Sequence, residues 1–398
     1  MGRLVVNENK LNSQVVQDLV KICPFKAIED KDGKIEINAG CKMCKICVNK
    51  GPAGVIEFVD EVAKTVDKSL WKGIAVYVDH VEGDIHPVTL ELIGKAKELA
   101  SKVDFPVYCL FLGSNISDKS EELLHYGVDE VFVYDKEELK DFRIEPYAAA
   151  FEDFVNKVNP STILVGATTI GRSLAPRMAA RFRTGLTADC TVLDMKENTD
   201  LVQIRPAFGG NIMAQIKTPN TRPQLATVRY KVMNAPERTL ETSGKITICD
   251  IDSTKLSSNI KVLSVTHKER EESISDAEVI IAVGRGIKSE KDMQLVHQLA
   301  DLLDAQIGCT RPIIEAGWLD AKKQIGLSGR TVKPRLIITL GISGSVQIAA
   351  GMNGSEYIFA INKDEKASIF NIAHYGIVGD INEIVPQLIE QINMAKGA

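Results

Sequence analysis

A chain of 398 residues, 44% apolar and 25% charged, has the composition of a soluble globular protein but is too long for one hydrophobic core, so two or three domains are expected. A formal charge of −5 and a pI near 5.8 give no reason to expect nucleic acid or an acidic membrane as partner. No apolar run reaches the roughly 18 residues of a membrane span, the first residues lack a signal-peptide core, and cysteine is too sparse for a secreted disulfide scaffold, which together point to the cytoplasm.

Residues 1–66 are Lys-rich, are punctuated by Gly and Pro, and carry Cys23, Cys41, Cys44 and Cys47. In "CKMCKICVNKGPAG" the last three follow the C-x2-C-x2-C rhythm of bacterial ferredoxins, which closes on a Cys-Pro pair. Here the closing pair is Gly51-Pro52, while a Cys-Pro pair, Cys23-Pro24, stands upstream. In two-cluster ferredoxins the fourth Cys of each run serves the other cluster, so Cys23 reads as the missing fourth ligand. Counting back from Cys23 in the same rhythm gives Ser13, Val16 and Leu19, and with Gly51 these are the four ligand positions of a second cluster that has been lost. The unit therefore reads as a ferredoxin-like α+β domain holding one 4Fe–4S cluster on four soft thiolates. Zinc is the alternative, although structural zinc favours C-x2-C pairs set apart. Lys42, Lys45 and Lys50 read as a solvated face or as a dock for a small acidic redox protein. The remaining cysteines, Cys109, Cys190, Cys249 and Cys309, are expected to be buried small hydrophobes.

From Trp71 onward apolar runs alternate with helical stretches: "GIAVYVD", "HPVTLELIGKAKELASKV", "PVYCLFLG", "EVFVYD" and "STILVGAT". Such alternation predicts a parallel sheet with crossover helices. Lys268 to Asp276, charged and poor in large apolar residues, reads as a linker to a second region of the same kind. The expected domains are 1–66, 67–265 and 266–398, the last two being Rossmann-like or flavodoxin-like α/β domains. In the last, "EVIIAV" runs into "GRG" and a helix starting near Ser289, and "RLIITL" runs into "GISGS" and a helix starting near Val346. Gly and Ser there let backbone N–H groups approach phosphate oxygens. An ordinary strand–helix turn is the plain alternative, because "GRG" lacks the G-x-G-x-x-G spacing.

From Trp71 to the end the sequence resembles the alpha subunit of electron transfer flavoproteins. The resemblance is carried by "VGATTIGRSLAPRMAARFRTGLTADCT", "RPAFGGN", "RPQLATVR", "VGRGIKS", "GCTRPIIEAGWL", "QIGLSGRTVKP", "GISGSVQIAAGM", "INKDEKASIF" and "YGIVGDI". It implies FAD in the C-terminal domain, with Arg285 beside the cofactor and Thr310 and Arg311 beside the isoalloxazine. Gln324 faces the site, and Ile325, Gly326, Leu327 and Ser328 bring the Ser328 hydroxyl near flavin N5. Ser343, Gly344 and Ser345 hold the phosphates, Asn362 lies near the adenosine, and Asp380 marks the ribose or adenine end. Val346, Gln347, Ile348 and Ile381 complete the set. Arg311 and Ser328 would carry the chemistry. A guanidinium stabilises negative charge at N1/O2, and a hydroxyl follows N5 from acceptor to donor. Two positions depart from the family: Ile348 replaces a frequent His, and His374 replaces a more usual Asp.

The resemblance also implies a heterodimer with a beta subunit. In a bifurcating subset of anaerobes, NADH electrons are divided between ferredoxin and a flavin-dependent dehydrogenase. The expectation is an electron-relay subunit, catalytic only within its complex, with a dehydrogenase partner of the acyl-CoA or lactate type and the cluster as a port for ferredoxin. The alternatives are a non-bifurcating carrier with an accessory cluster, and a nucleotide-binding regulatory protein with a zinc knob.

Overall fold

The computed structural model describes residues 3–38, 40–59, 66–210, 212–266 and 273–396. Its contacts divide the chain into two units, Met1–Val66 and Asp67–Ala398.

In the first unit, strand Arg3–Val6 pairs antiparallel with Ile56–Val59, and Ile28–Lys31 forms a hairpin with Lys34–Ile37. Helix Ser13–Ile22 starts where the Asn12 side chain accepts the Val15 N–H at 2.9 Å and stops at Cys23, ahead of Pro24. Its inward residues, Val16 and Leu19, are fully buried. A Cβ placed at Gly51 would meet the Cys47 carbonyl and lie 2.8 Å from Leu19 Cδ2. Two of the positions counted as a lost cluster's ligands, Val16 and Leu19, are thus core, and Gly51 leaves no room for a side chain beside Leu19.

The second unit carries two parallel sheets, as the alternation of apolar runs and helices predicts. The first has the order Leu186–Thr187, Gln224–Val228, Thr162–Gly166, Ile74–Tyr77, Val107–Gly113, Glu130–Asp135, Lys245–Ile248. Helix Pro87–Ser101 covers one face, packing on Ile74 and Val76. Helices Ile144–Val158 and Thr169–Arg181 cover the other, against Ala75 and Tyr77. Burial on both faces explains why these strands are continuous apolar runs. An antiparallel sheet of Val192–Met195, Leu201–Ala207 and Ile212–Ile216 is an addition that the sequence pattern did not reveal.

The final sheet runs Gln306–Cys309, Val279–Val283, Leu336–Leu340, Tyr357–Asn362, Tyr375–Val378, all parallel. Numbered along the chain this is 2-1-3-4-5, the flavodoxin-like order, and it reverses between Val279–Val283 and Leu336–Leu340. Helices Glu290–Leu303 and Ile381–Lys396 pack on one face. Of the expected linker, residues 268–272 lie outside the described residues. Its end is not a spacer, because Ile274 is buried in the core beneath this sheet. Cys109, Cys190, Cys249 and Cys309 are all buried.

Candidate functional site

The strand order reverses where ligands bind in open α/β sheets, outside the carboxyl ends of the two strands. The turns Gly284–Gly286 and Gly341–Ser345 follow those ends and line a cavity of about 610 Å³. They pack backbone on backbone. A Cβ at Gly286 would come within 2.6 Å of Gly341 Cα, and Gly341 itself holds a left-handed φ of +62°. Only glycine allows the two turns to touch while their peptide groups face a ligand.

Arg285, Thr310, Ser343, Ser345, Ile348, Asn362, Asp380 and Ile381 all line this cavity. Asn362 is buried, and its Nδ2 donates to the Ile342 carbonyl at 2.8 Å, fixing the second turn. Asp380 Oδ1 accepts the Asn382 N–H at 2.9 Å at the start of the last helix. Ile348 is buried. Helix Glu290–Leu303 opens with a reciprocal capping box between Ser289 and Asp292. Burial alone would raise the Asp292 carboxyl, but the N–H groups of Lys288 and Ser289 hold it below the ordinary carboxylate range. Those two N–H groups are therefore committed to the protein. The expected helix after "GISGS" is only Val346–Ala349, so anion binding there falls to the turn itself.

Sequence reasoning missed Lys288, Lys363, Asp364 and Asn382, which also line the cavity. Lys288, Lys363 and Asp364 sit on loops and Asn382 at the start of the last helix, and only the fold brings them to one cavity. Arg285, Lys288 and Lys363 bring three cationic side chains to the cavity. The buried Thr310 Oγ1 has no hydrogen-bond partner among the described residues, a polar atom left for a ligand to satisfy. Cavity size, glycine turns, cations and this orphan hydroxyl fit a flavin dinucleotide.

Of the residues expected around the flavin ring Thr310 lines the cavity, whereas Arg311, Gln324 and Ile325 to Ser328 stand apart from its lining. Arg311 is exposed and donates to Glu315 at 2.8 Å, one helical turn on. Gln324 Nε2 donates to Ser328 Oγ at 2.6 Å, closing a loop in which Ile325 N–H donates to the Cys309 carbonyl. Leu327 N–H reaches the Gln347 carbonyl at 2.9 Å, tying that loop to Val346–Ala349. Gly326 and Leu327 line a separate cleft of about 250 Å³ with Arg205 and Arg229. Gly344 has a φ of +83°, and a Cβ there would strike the Ile369 backbone. His374 has a structural account. Its Nδ1 accepts the Ile358 N–H at 2.9 Å, and its ring stands edge-on to Tyr357, stitching the last two strands together.

In the first unit Cys23, Cys41, Cys44 and Cys47 line one small cavity, together with Phe25, Lys42 and Lys45. Ala27 N–H donates to Cys23 Sγ at 3.3 Å and Met43 N–H to Cys41 Sγ at 3.5 Å. Lys26, Met43 and Lys45 take left-handed φ values of 50°, 51° and 61°, unusual for non-glycine residues and clustered where the loop wraps the thiols. Burial pushes the Cys47 thiol up, and the neighbouring Cys41, Cys44 and Cys23 add to it. Lys42 and Lys50 are exposed, while Lys45 Nζ lies 3.4 Å from the Phe58 ring centroid. Among the described residues no three His, Cys, Asp or Glu side chains stand close enough to hold a single metal ion. The donor set of four soft thiols about one space, with amides aimed at sulfur, fits a larger iron–sulfur cube, whose ligands stand farther apart than those of one ion.

No helix among the described residues is long and apolar enough to cross a membrane. Residues 74–254 match the electron transfer flavoprotein domain, and residues 273–353 match the electron transfer flavoprotein FAD-binding domain. The lactate dehydrogenase (NAD(+),ferredoxin) subunit LctC of Acetobacterium woodii is 61% identical over 98% of this chain and 93% of its own length. The electron transfer flavoprotein subunit alpha of Thermoanaerobacterium thermosaccharolyticum is 41% identical over 82% of this chain and 99% of its own. The acryloyl-CoA reductase electron transfer subunit beta of Anaerotignum propionicum is 38% identical over 84% of this chain. With both glycine turns of its cavity inside the matched FAD-binding domain, the chain belongs to the electron transfer flavoprotein family, as an alpha subunit.

Proposed function

We propose that this chain is the electron-relay subunit of an electron-bifurcating complex, working between a beta subunit that takes electrons from NADH, a flavin-dependent dehydrogenase and ferredoxin. FAD supplies one-electron chemistry when bound, and a 4Fe–4S cluster supplies a second single-electron centre. The chain's own part is to hold the dinucleotide through Ser343, Gly344, Ser345, Asn362 and Asp380, and to set its charge environment with Arg311 and Ser328. Cys23, Cys41, Cys44 and Cys47 hold the cluster in a ferredoxin-like domain, residues 1–66. The β-α-β-β-α-β order of that unit and its antiparallel outer strands support the assignment.

One observation carries the reading. The 61% identity to LctC extends over 98% of the chain and so takes in most of the cysteine-bearing unit. The same relative favours a lactate-type dehydrogenase partner over the acyl-CoA type, for which the 38% match to the acryloyl-CoA reductase subunit is the weaker support. The test is anoxic co-purification with the beta subunit and dehydrogenase, followed by an assay of ferredoxin reduction by NADH. Reduction is expected only when the dehydrogenase's own acceptor is present, and reduction without it, or none at all, sinks bifurcation. Cys23→Ser is expected to damage the same iron–sulfur EPR signal as Cys44→Ser while FAD stays bound. A normal signal in Cys23→Ser overturns the four-cysteine assignment.

A further inference from the structure

We propose that Lys45 tunes the reduction potential of the iron–sulfur centre, as a fixed cation that favours the reduced cluster, an inference that rests on the cluster reading above. Lys45 stands between Cys44 and Cys47 and lines the same small cavity as the four cysteines. Of Lys42, Lys45 and Lys50 it alone is half-buried. Its backbone takes a left-handed φ of 61°, which glycine would adopt with less strain, so the turn itself gives no reason for a lysine. Capping gives none either, because Lys45 precedes helix Ile46–Asn49 without a side-chain hydrogen bond to it.

What the side chain does make is a contact of its Nζ with the Phe58 ring, 3.4 Å from the centroid. Phe58 is held by strand Ile56–Val59, opposite Leu4, and Leu4 lines the cysteine cavity. An aromatic ring orients an ammonium without cancelling its charge, as a carboxylate would. Among the described residues Lys45 pairs with no carboxylate, whereas Lys31 pairs with Glu36 and Lys34 with Glu8. An electron entering a centre held by four thiolates adds one negative charge to a site that is already anionic. A half-buried cation at that site is weakly screened, so it stabilises the reduced state over the oxidised one and raises the potential. Phe58 is then a positioning residue that keeps the ammonium in place.

The test uses the full chain with its beta subunit, prepared without oxygen, and a dithionite redox titration followed by the EPR signal of the reduced cluster. Lys45→Met keeps the apolar stem and removes the charge. At a fixed potential it is expected to move the reduced-to-oxidised ratio about tenfold toward the oxidised cluster, which is ~59 mV for one electron. Lys45→Arg keeps a cation and should stay within about threefold of the unmodified protein, and Lys50→Met, which removes an exposed charge, within about twofold. Iron and FAD contents should be unchanged. Should Lys45→Met cost iron, Phe58→Leu decides, since it frees the ammonium and leaves the cysteine loop unaltered, and a change of about threefold in the same direction is expected. An unshifted potential in a variant that keeps its iron overturns the role of Lys45 and leaves the cluster reading intact. An equal shift in Lys50→Met shows that net charge alone matters and overturns it too. Absence of iron from the unmodified chain overturns both.

Discussion

At the scale of single residues, the dinucleotide cavity depends on two glycine turns in backbone contact. Gly341 combines a left-handed φ with a Cβ position 2.5 Å from Gly286 Cα, so Gly341→Val faces both backbone strain and a clash that no side-chain rotation relieves. The expected outcome is at least about tenfold weaker FAD retention, with a loss of about 1–3 kcal/mol in stability. Dialysis followed by the flavin-to-protein absorbance ratio checks it, and full retention would overturn the cavity as the FAD site. The residues legible in the sequence were those at strand ends, where glycine and serine mark a turn whatever the tertiary context. Lys288, Lys363 and Asp364 were not, because a loop lysine or aspartate carries no local signal of what lies across a cavity from it. Arg311 was legible only by motif, as a flavin neighbour, and its ion pair with Glu315, four residues on, is a contact that the motif does not reveal.

At the scale of elements, helix Pro87–Ser101 hides a carboxylate under a loop. Glu91 is 7% exposed and accepts the Lys231 N–H at 3.0 and 3.1 Å through its two oxygens. Burial outweighs these bonds and raises its carboxyl from 4.5 to about 7. A raised folded-state value means that the folded protein binds the extra proton between those two values. Stability is therefore fully present below about 4.5 and is lost as pH rises through about 7. Glu91→Gln keeps an acceptor without the charge. Relative to the unmodified protein it is expected to gain on the order of 1–3 kcal/mol at pH 8 over pH 5. Melting temperatures of the two proteins at both pH values measure this, and a difference independent of pH would refute it. The strands were readable because burial on both faces makes them unbroken apolar runs. The antiparallel sheet was not, since "LVQIRPA" mixes apolar, polar and Pro residues and owes its strand state to its neighbours.

At the scale of the whole molecule, the first unit is separable in sequence as well as in contacts. The Thermoanaerobacterium relative is covered over 99% of its own length by 82% of this chain. A chain of residues 67–398 is expected to keep FAD at the full-length stoichiometry, to lose all bound iron and to keep its heterodimer with the beta subunit. Flavin and iron assays with gel filtration test it, and loss of FAD would show that the first unit supports the cavity. Within that unit Val16 and Leu19 are buried and Gly51 has no room for a side chain where a second set of ligands would have stood. This packing acts as a ratchet. Restoring cysteines one at a time would first strip Leu19 from a small core, where a Leu-to-small change costs about 2–5 kcal/mol, before four ligands existed to bind any iron. An intermediate that has lost Leu19 would be less stable than its parent and no better an electron carrier. On the proposed reading, folding rather than chemistry stands in the way of a second set of ligands.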